Sequence, residues 1–254
     1  MLYSLFAASL VILYLPVARL ILFGRVTILR ENETTVIEQM CLGFARLIMG
    51  LTRSELVIEG LENLAALPPA RRVVLISNHE SNLDIPCVFY AIKGPVGFIA
   101  KRELGRFPFL RYWIQRLGGV MLDRRDLRAS LEALSRGFGR AGTRYMLIFP
   151  EGTRNHESTV APFKPGSLRL AFENDAMVLP LCVCGGRRKF EGNHYRNRPG
   201  KIYMRILKPR DTRTLAAAGK TETARELHAE ILETYRGYDT RLITEQTGLQ
   251  SRPA

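Results

Sequence analysis

Asn78-His79-Glu80-Ser81-Asn82-Leu83-Asp84 puts an imidazole and a carboxylate five positions apart, directly after the apolar run Val73–Ile76. Inside one helix that spacing separates two side chains by about 140° of azimuth, so they would not meet. With His79 in a loop leaving a strand and Asp84 in the first turn of the next helix, the carboxylate can turn back onto the ring. Asp84 then fixes the tautomer and stabilises the imidazolium, and the second ring nitrogen can accept a proton from an alcohol. A base held this way contributes about 10²- to 10⁴-fold in rate. Ser81 offers a nucleophile beside His79, but no G-x-S-x-G elbow surrounds it, and a serine there serves more simply as a helix cap. A His and an Asp at this spacing also occur as an ordinary surface pair, so the heptapeptide needs support from elsewhere.

A second group, Phe149-Pro150-Glu151-Gly152-Thr153-Arg154, follows the apolar run Tyr145–Phe149. Gly152 permits a tight turn with exposed amides, and Arg154 presents a planar fork suited to phosphate oxygens. Glu151 is placed to orient that arginine. Lys101, in Lys101-Arg102-Glu103-Leu104 at the end of the run Gly97–Ala100, is a compact cation suited to join Arg154 on one phosphate. Gly118-Gly119-Val120-Met121-Leu122-Asp123-Arg124 comes next, and then Val178-Leu179-Pro180-Leu181, where a proline inside an apolar strand points to an edge or a bulge.

The elements that must carry these groups read as an α/β domain after Arg53, with short apolar runs alternating with amphipathic stretches. Strands are expected at Leu56–Ile58, Val73–Ile76, Gly97–Ala100, Val120–Leu122, Tyr145–Phe149, Val178–Cys184 and Ile202–Ile206. Helices are expected to begin near Ser81, Pro108, Asp126 and Ser167. A last one is expected from about Thr223 to Thr247, where Thr223 and Glu226 have capping-box spacing. Both reactive groups then lie at strand exits, where ligands collect in open α/β sheets. Segment 185–200, rich in Gly, Arg and Asn, reads as an exposed basic loop.

The first 24 residues are almost wholly apolar, interrupted by Pro16 and Arg19, and as a helix would reach about 36 Å. No basic residue precedes the run and no small-x-small site follows it, which favours an uncleaved anchor over a signal peptide. Arg19, Arg25 and Arg30 place the remainder on the cytoplasmic side. Val36, Ile37, Met40, Cys41, Phe44, Ile48 and Met49 form an apolar helical stripe that suits either a membrane surface or the face of the α/β domain. Residues 1–54 are therefore expected to form a membrane-anchoring helical motif and 55–254 the catalytic domain.

The 37 Lys and Arg against 24 Asp and Glu give a net charge of +13, which attracts phosphate-bearing partners. Nucleic acid is disfavoured, since no basic stripe interleaved with aromatics and no familiar module accompanies the charge. The four cysteines contain no CxxC pair and no His cluster has zinc-ligand spacing, so neither metal nor disulfide is expected. Cys182 and Cys184 would share one strand face as reduced core residues.

Asn-His-x-Ser-x-x-Asp at 78 to 84, Lys-x-Glu-Leu at 101 to 104, Phe-Pro-Glu-Gly-Thr-Arg at 149 to 154 and Val-Leu-Pro-Leu at 178 to 181 occur in this order. Together they resemble the four blocks of the 1-acylglycerol-3-phosphate acyltransferases, the PlsC-like enzymes, over roughly residues 55 to 210. The resemblance implies a central mixed sheet flanked by helices with an N-terminal membrane-associated motif. It implies that His79 is the general base and Asp84 its support. Lys101 and Arg154 would bind the acceptor phosphate, with Glu151, Gly152 and Thr153 shaping that site. No metal, cofactor or covalent acyl-enzyme is implied; the expected donor is acyl-CoA or acyl carrier protein and the expected acceptor lysophosphatidic acid. Another lysophospholipid or an acylated amino-acid lipid as acceptor, and a non-catalytic membrane lipid-binding protein, are the rival readings.

Overall fold

The computed structural model describes residues 14–122, 138, 144–215 and 217–247. Its frame is one mixed sheet, built from β1 (Ser54–Glu59), β2 (Val73–Ser77), β3 (Val96–Lys101), β4 (Val120–Leu122), β5 (Tyr145–Ile148), β6 (Met177–Cys184), β7 (Gly200–Ile206) and β8 (Arg210–Asp211). Strand order is β1-β7-β6-β2-β5-β3-β4, with β8 beside β6; β7 and β8 run antiparallel to β6, and the other neighbouring pairs are parallel. Every residue of β2 and β6 is buried, as unbroken apolar runs require when both faces of a parallel strand are covered. Alternation divides their side chains between two cores. Val73, Leu75, Leu179, Leu181 and Val183 face one side, and Val74, Ile76, Val178, Cys182 and Cys184 the other. All four cysteines are free and buried.

The first core is covered by α1 (residues 14–23), α2 (Glu33–Leu51), α4 (Asp84–Ile92) and α5 (Pro108–Arg116). A π-turn, Gly24–Ile28, ends α1, and Asn32 caps α2 by accepting from the Thr35 amide at 3.2 Å. Trp113 Nε1 donates to the Leu15 carbonyl at 2.9 Å, and Arg116 pairs with Glu33, so α5 is tied to both N-terminal helices. The stripe on α2 has one of its two open fates: Val36, Ile37, Met40, Cys41, Ile48 and Met49 are buried in this core. The same helix is long and apolar enough to cross a membrane by length and composition. Of the apolar run expected as an anchor, residues 1–13 lie outside the described residues.

The second core is covered by α6 (Arg169–Glu173) and α8 (Gly219–Thr247); Leu227, Ile231, Tyr235, Tyr238 and Leu242 make the buried stripe of α8. This helix begins four residues before the expected Thr223, whose hydroxyl donates to the Gly219 carbonyl inside the first turn rather than capping it. The helix expected near Ser81 starts at Asp84, and the one near Ser167 is a 3₁₀ turn, Pro165–Leu168, running into α6. The helix expected near Asp126 falls outside the described residues, as do Asp123 and Arg124. Short α3 (Leu61–Ala65), α7 (Gly186–Lys189) and β8 carry no pattern long enough to be read beforehand. Pro180 lies in an interior strand, not at an edge. Its partners there are Ile76 of β2 and, through its carbonyl, the Leu207 amide in the break between β7 and β8, where no ladder N–H is needed.

Candidate active site

Because β5, β2 and β6 are adjacent and parallel, their C-terminal ends deliver three loops to one place. The β2 loop lies between the other two and is fastened to each. Asn78 continues the sheet with its side chain: its Nδ2 donates to the Val183 carbonyl and its Oδ1 accepts from the Val183 amide, both at 2.8 Å. On the β5 side, the Asn155 amide donates to the His79 carbonyl at 2.8 Å. Glu151 accepts from the amides of His79, at 2.6 Å, and Ala161, at 2.9 Å.

His79 therefore sits in the loop and Asp84 opens α4, with Asp84 Oδ2 2.8 Å from His79 Nδ1. The same oxygen accepts from the amides of Glu80 and Ser81, each at 2.9 Å. A carboxylate at a helix N-terminus is favoured by the dipole, but Asp84 is fully buried and its Oδ1 has no partner among the described residues. Burial outweighs the three donors and raises its pKa. The imidazole stacks on Phe149, with centroids 3.8 Å apart and planes 13° from parallel, and its side chain is 18% exposed. Nδ1 bound to the carboxylate leaves Nε2 to carry the lone pair, so this pair can take a proton from an alcohol placed against the ring.

Glu80 is a buried carboxyl that motif reading passed over. Its Oε2 accepts from the Tyr235 hydroxyl of α8 at 2.9 Å and its Oε1 from the Arg187 amide at 3.2 Å. Its pKa is raised, first by burial and then by the Asp84 charge. A carboxyl whose folded pKa exceeds its unfolded one binds more protons when native between the two values, so stability falls as pH rises through that window. Glu80→Gln, which does not titrate, is therefore expected to gain stability relative to the wild type as pH rises from roughly 4.3 to about 7, the value to which Glu80 is raised, and to keep a constant gain above that window. Unfolding midpoints across pH measure this, and a difference constant with pH through that window contradicts it.

Arg154 is not oriented by Glu151, whose two oxygens are taken by the His79 and Ala161 amides. Its partner is Glu191, at 3.2 Å, in the segment after β6. Segment 185–200 is accordingly more than a surface loop. It contains α7, and buried Lys189 donates to the carbonyls of Thr52, Arg53 and Arg198, joining the end of α2 to the site; burial lowers this lysine to about 8. Glu191 Oε2 also accepts from the Ser81 hydroxyl, and Ser81 Oγ from the Leu83 amide, so Ser81 is neither bonded to His79 nor the cap of α4.

Gly152 has φ of 77°, and a Cβ there would stand 2.5 Å from Lys164 Nζ, which sets an unforeseen ammonium against the turn. Thr153 is exposed. Lys101 is exposed at the end of β3, on the same sheet edge but separated from β2 by β5. The structure thus joins His79, Asp84, Glu151 and Arg154 through direct contacts or shared loops and leaves Lys101 to one side.

An apolar cavity of about 530 Å³ opens between α1, α2, α4 and α5, lined by residues that include Phe44, Ile48, Phe89 and Trp113, with Asn82 and Leu83 of the His79 loop in its wall. Its size is within the roughly 300–1,000 Å³ of pockets that enclose small ligands.

A family model described as "Acyltransferase" matches residues 55–184. The 1-acyl-sn-glycerol-3-phosphate acyltransferase of Saccharomyces cerevisiae is 29% identical over 195 residues, which are 75% of this chain and 62% of that protein. The alpha form of the same enzyme from Homo sapiens is 28% identical over 177 residues, 68% of this chain and 62% of that one. This chain thus spans less than two thirds of either relative's length. The crystal structure of the 1-acyl-sn-glycerophosphate acyltransferase PlsC from Thermotoga maritima superposes with a TM-score of 0.78 at 27% identity, covering 94% of both chains.

Proposed function

The chain belongs to the acyltransferase family, and from that premise we propose that it moves a fatty acyl chain from acyl-CoA or acyl carrier protein to the free hydroxyl of 1-acyl-glycerol-3-phosphate, giving phosphatidic acid. The observation that carries the reading is the 2.8 Å contact of His79 with buried Asp84, beside a loop cluster that presents Arg154. His79 Nε2 takes the hydroxyl proton as that oxygen attacks the thioester carbonyl. The tetrahedral intermediate collapses with cleavage of the C–S bond, and the departing thiolate takes the proton from the imidazolium. Transfer is direct, with no metal, cofactor or acyl-enzyme. Arg154 receives the acceptor phosphate, and Lys101 with the turn at Gly152 and Thr153 borders it. Residues 1–54 hold the chain to the membrane, with the catalytic domain, 55–254, on the cytoplasmic side.

The test is an acyl-transfer assay on membranes containing the full chain, offering lysophosphatidic acid against lyso-lipids without a terminal phosphate, with each donor in turn. Equal rates on all acceptors, or none on lysophosphatidic acid, would end this reading. The cavity takes the acyl chain in transit, so Ile48→Trp is expected to move donor preference toward shorter chains. Each methylene denied burial costs about 0.8 kcal/mol, roughly fourfold in kcat/KM. A chain-length profile identical to that of the wild type would remove the cavity from the mechanism.

A further inference from the structure

Segment 185–200 carries five Lys and Arg and a single acid, Glu191, yet it is the acid that is drawn into the site. The Glu191 side chain is 5% exposed. Its Oε2 accepts from the Ser81 hydroxyl at 2.7 Å, and its Oε1 accepts from the Asn82 amide at 2.7 Å and from Arg154 Nη1 at 3.2 Å. A hydroxyl, a backbone amide and a guanidinium converging on two oxygens are the donors that also bind phosphate. Ser81 and Asn82 belong to the loop that holds His79, and Arg154 to the loop that Glu151 fastens beside it.

Carboxylate and phosphate cannot share this cradle, because two anions would compete for the same three donors. We propose that Glu191 is a specificity-determining residue whose carboxylate occupies the anion cradle of Ser81, Asn82 and Arg154, so that only an acceptor headgroup of higher negative charge displaces it. This rests on the reading that Arg154 receives the acceptor phosphate. A phosphate monoester carries about −1.5 to −2 at neutral pH, against one charge on the carboxylate, so the exchange strengthens the interaction with Arg154. A phosphodiester carries a single charge, and its exchange for Glu191 brings no such gain. An internal competitor of this kind rejects the wrong ligand without any contact made to it.

The backbone around Glu191 suits displacement. His194 and Tyr195 hold consecutive left-handed conformations, φ 52° and 57°, without glycine. Such residues persist only where surrounding contacts enforce them, and bonds within the segment do so, from the Tyr195 amide to the Phe190 carbonyl at 2.9 Å and from Asn193 Nδ2 to the Arg196 carbonyl at 2.7 Å, so the turn does not depend on the Glu191 side chain staying in place. Phe190, the preceding residue, lines the apolar cavity, so the headgroup cradle and the wall of the acyl site lie on neighbouring residues.

The experiment compares full-length wild type, Glu191→Gln and Arg154→Ala in one detergent. A 1-acyl glycerol 3-phosphate and a 1-acyl phosphatidylglycerol lyso-lipid of the same chain length serve as acceptors with one donor. Glutamine keeps the shape and an acceptor oxygen, and the unfolding midpoint confirms the fold. Glu191→Gln is expected to lower the monoester-to-diester ratio of kcat/KM roughly tenfold, the size of losing one charge-assisted competitor, chiefly through a lower KM for the diester. A ratio equal to the wild type's, or equal losses on both acceptors, overturns the proposal and makes Glu191 a strut for Arg154. If Arg154→Ala leaves the KM for the monoester unchanged, the phosphate does not bind there and the underlying reading fails. Failure of Glu191→Gln with Arg154→Ala effective removes the role of Glu191 alone.

Discussion

Replacing His79 with alanine is expected to lower acyl transfer by about 10²- to 10⁴-fold while leaving the unfolding midpoint close to that of the wild type. The asymmetry follows from where the ring sits. The backbone of His79 is held independently of its side chain, by Glu151 at the amide and Asn155 at the carbonyl. Among the described residues the ring itself has one hydrogen bond, to Asp84, and one stacking contact, to Phe149. Removing it leaves Phe149 more exposed and the loop in place. Asp84 differs, because its Oδ2 also gathers the amides of Glu80 and Ser81 in a fully buried position. Asp84→Ala orphans those donors, at about 1–3 kcal/mol each, so it loses stability together with rate. Asp84→Asn is the cleaner probe: it keeps the shape and removes the charge that stabilises the imidazolium. Single-turnover rates and unfolding midpoints on the three variants separate these effects. Transfer by His79→Ala above a tenth of the wild-type rate would exclude the imidazole as base.

The part of this site that was legible in the sequence is the part built by short-range geometry. A spacing of five residues is incompatible with a single helix face, so the two side chains can meet only with His79 in a loop and Asp84 in the first turn, and the structure has them there. The strands were legible because burial on both faces demands unbroken apolar runs, as in β2 and β6. What stayed hidden depends on strand order. Asn78 meets Val183, Ser81 meets Glu191, and Glu80 meets Tyr235, across 105, 110 and 155 residues. Each contact exists because β6 lies beside β2 with α8 packed on β6, and no local spacing records that adjacency. Proximity in sequence suggests that Glu151 orients Arg154; their loop instead turns Glu151 toward β2 and Arg154 toward the segment after β6. Thr223 failed as a cap for a local reason: helical residues continue past it to Gly219, and a threonine inside a helix satisfies its hydroxyl on the carbonyl four residues back.

Glu151→Ala is expected to damage both stability and rate, and to do so more than Glu151→Gln. The Glu151 side chain is one of the bonds between the two reactive loops, beside that of the Asn155 amide to the His79 carbonyl, since one oxygen holds the His79 amide and the other the Ala161 amide. Its pKa is raised, because burial outweighs those donors, so the carboxylate is kept where a charge is disfavoured in order to accept both N–H groups. Alanine leaves two donors without acceptors, a penalty of about 1–3 kcal/mol apiece, equivalent to roughly 2–4 °C of unfolding midpoint per kcal/mol for a chain of this size. Glutamine retains one acceptor oxygen and turns an NH₂ toward the other amide, so its loss should fall between alanine and the wild type. The rate should follow the same order, because an unfastened His79 backbone lets the ring leave the geometry that faces the acceptor hydroxyl, and misplacement by about 1 Å can lower a rate about 10²-fold. Midpoints and kcat for the two variants decide the matter: Glu151→Ala with wild-type values for both would mean that the loops are held together without it, and that the placement of His79 is owed to Asn78 and Asn155 alone.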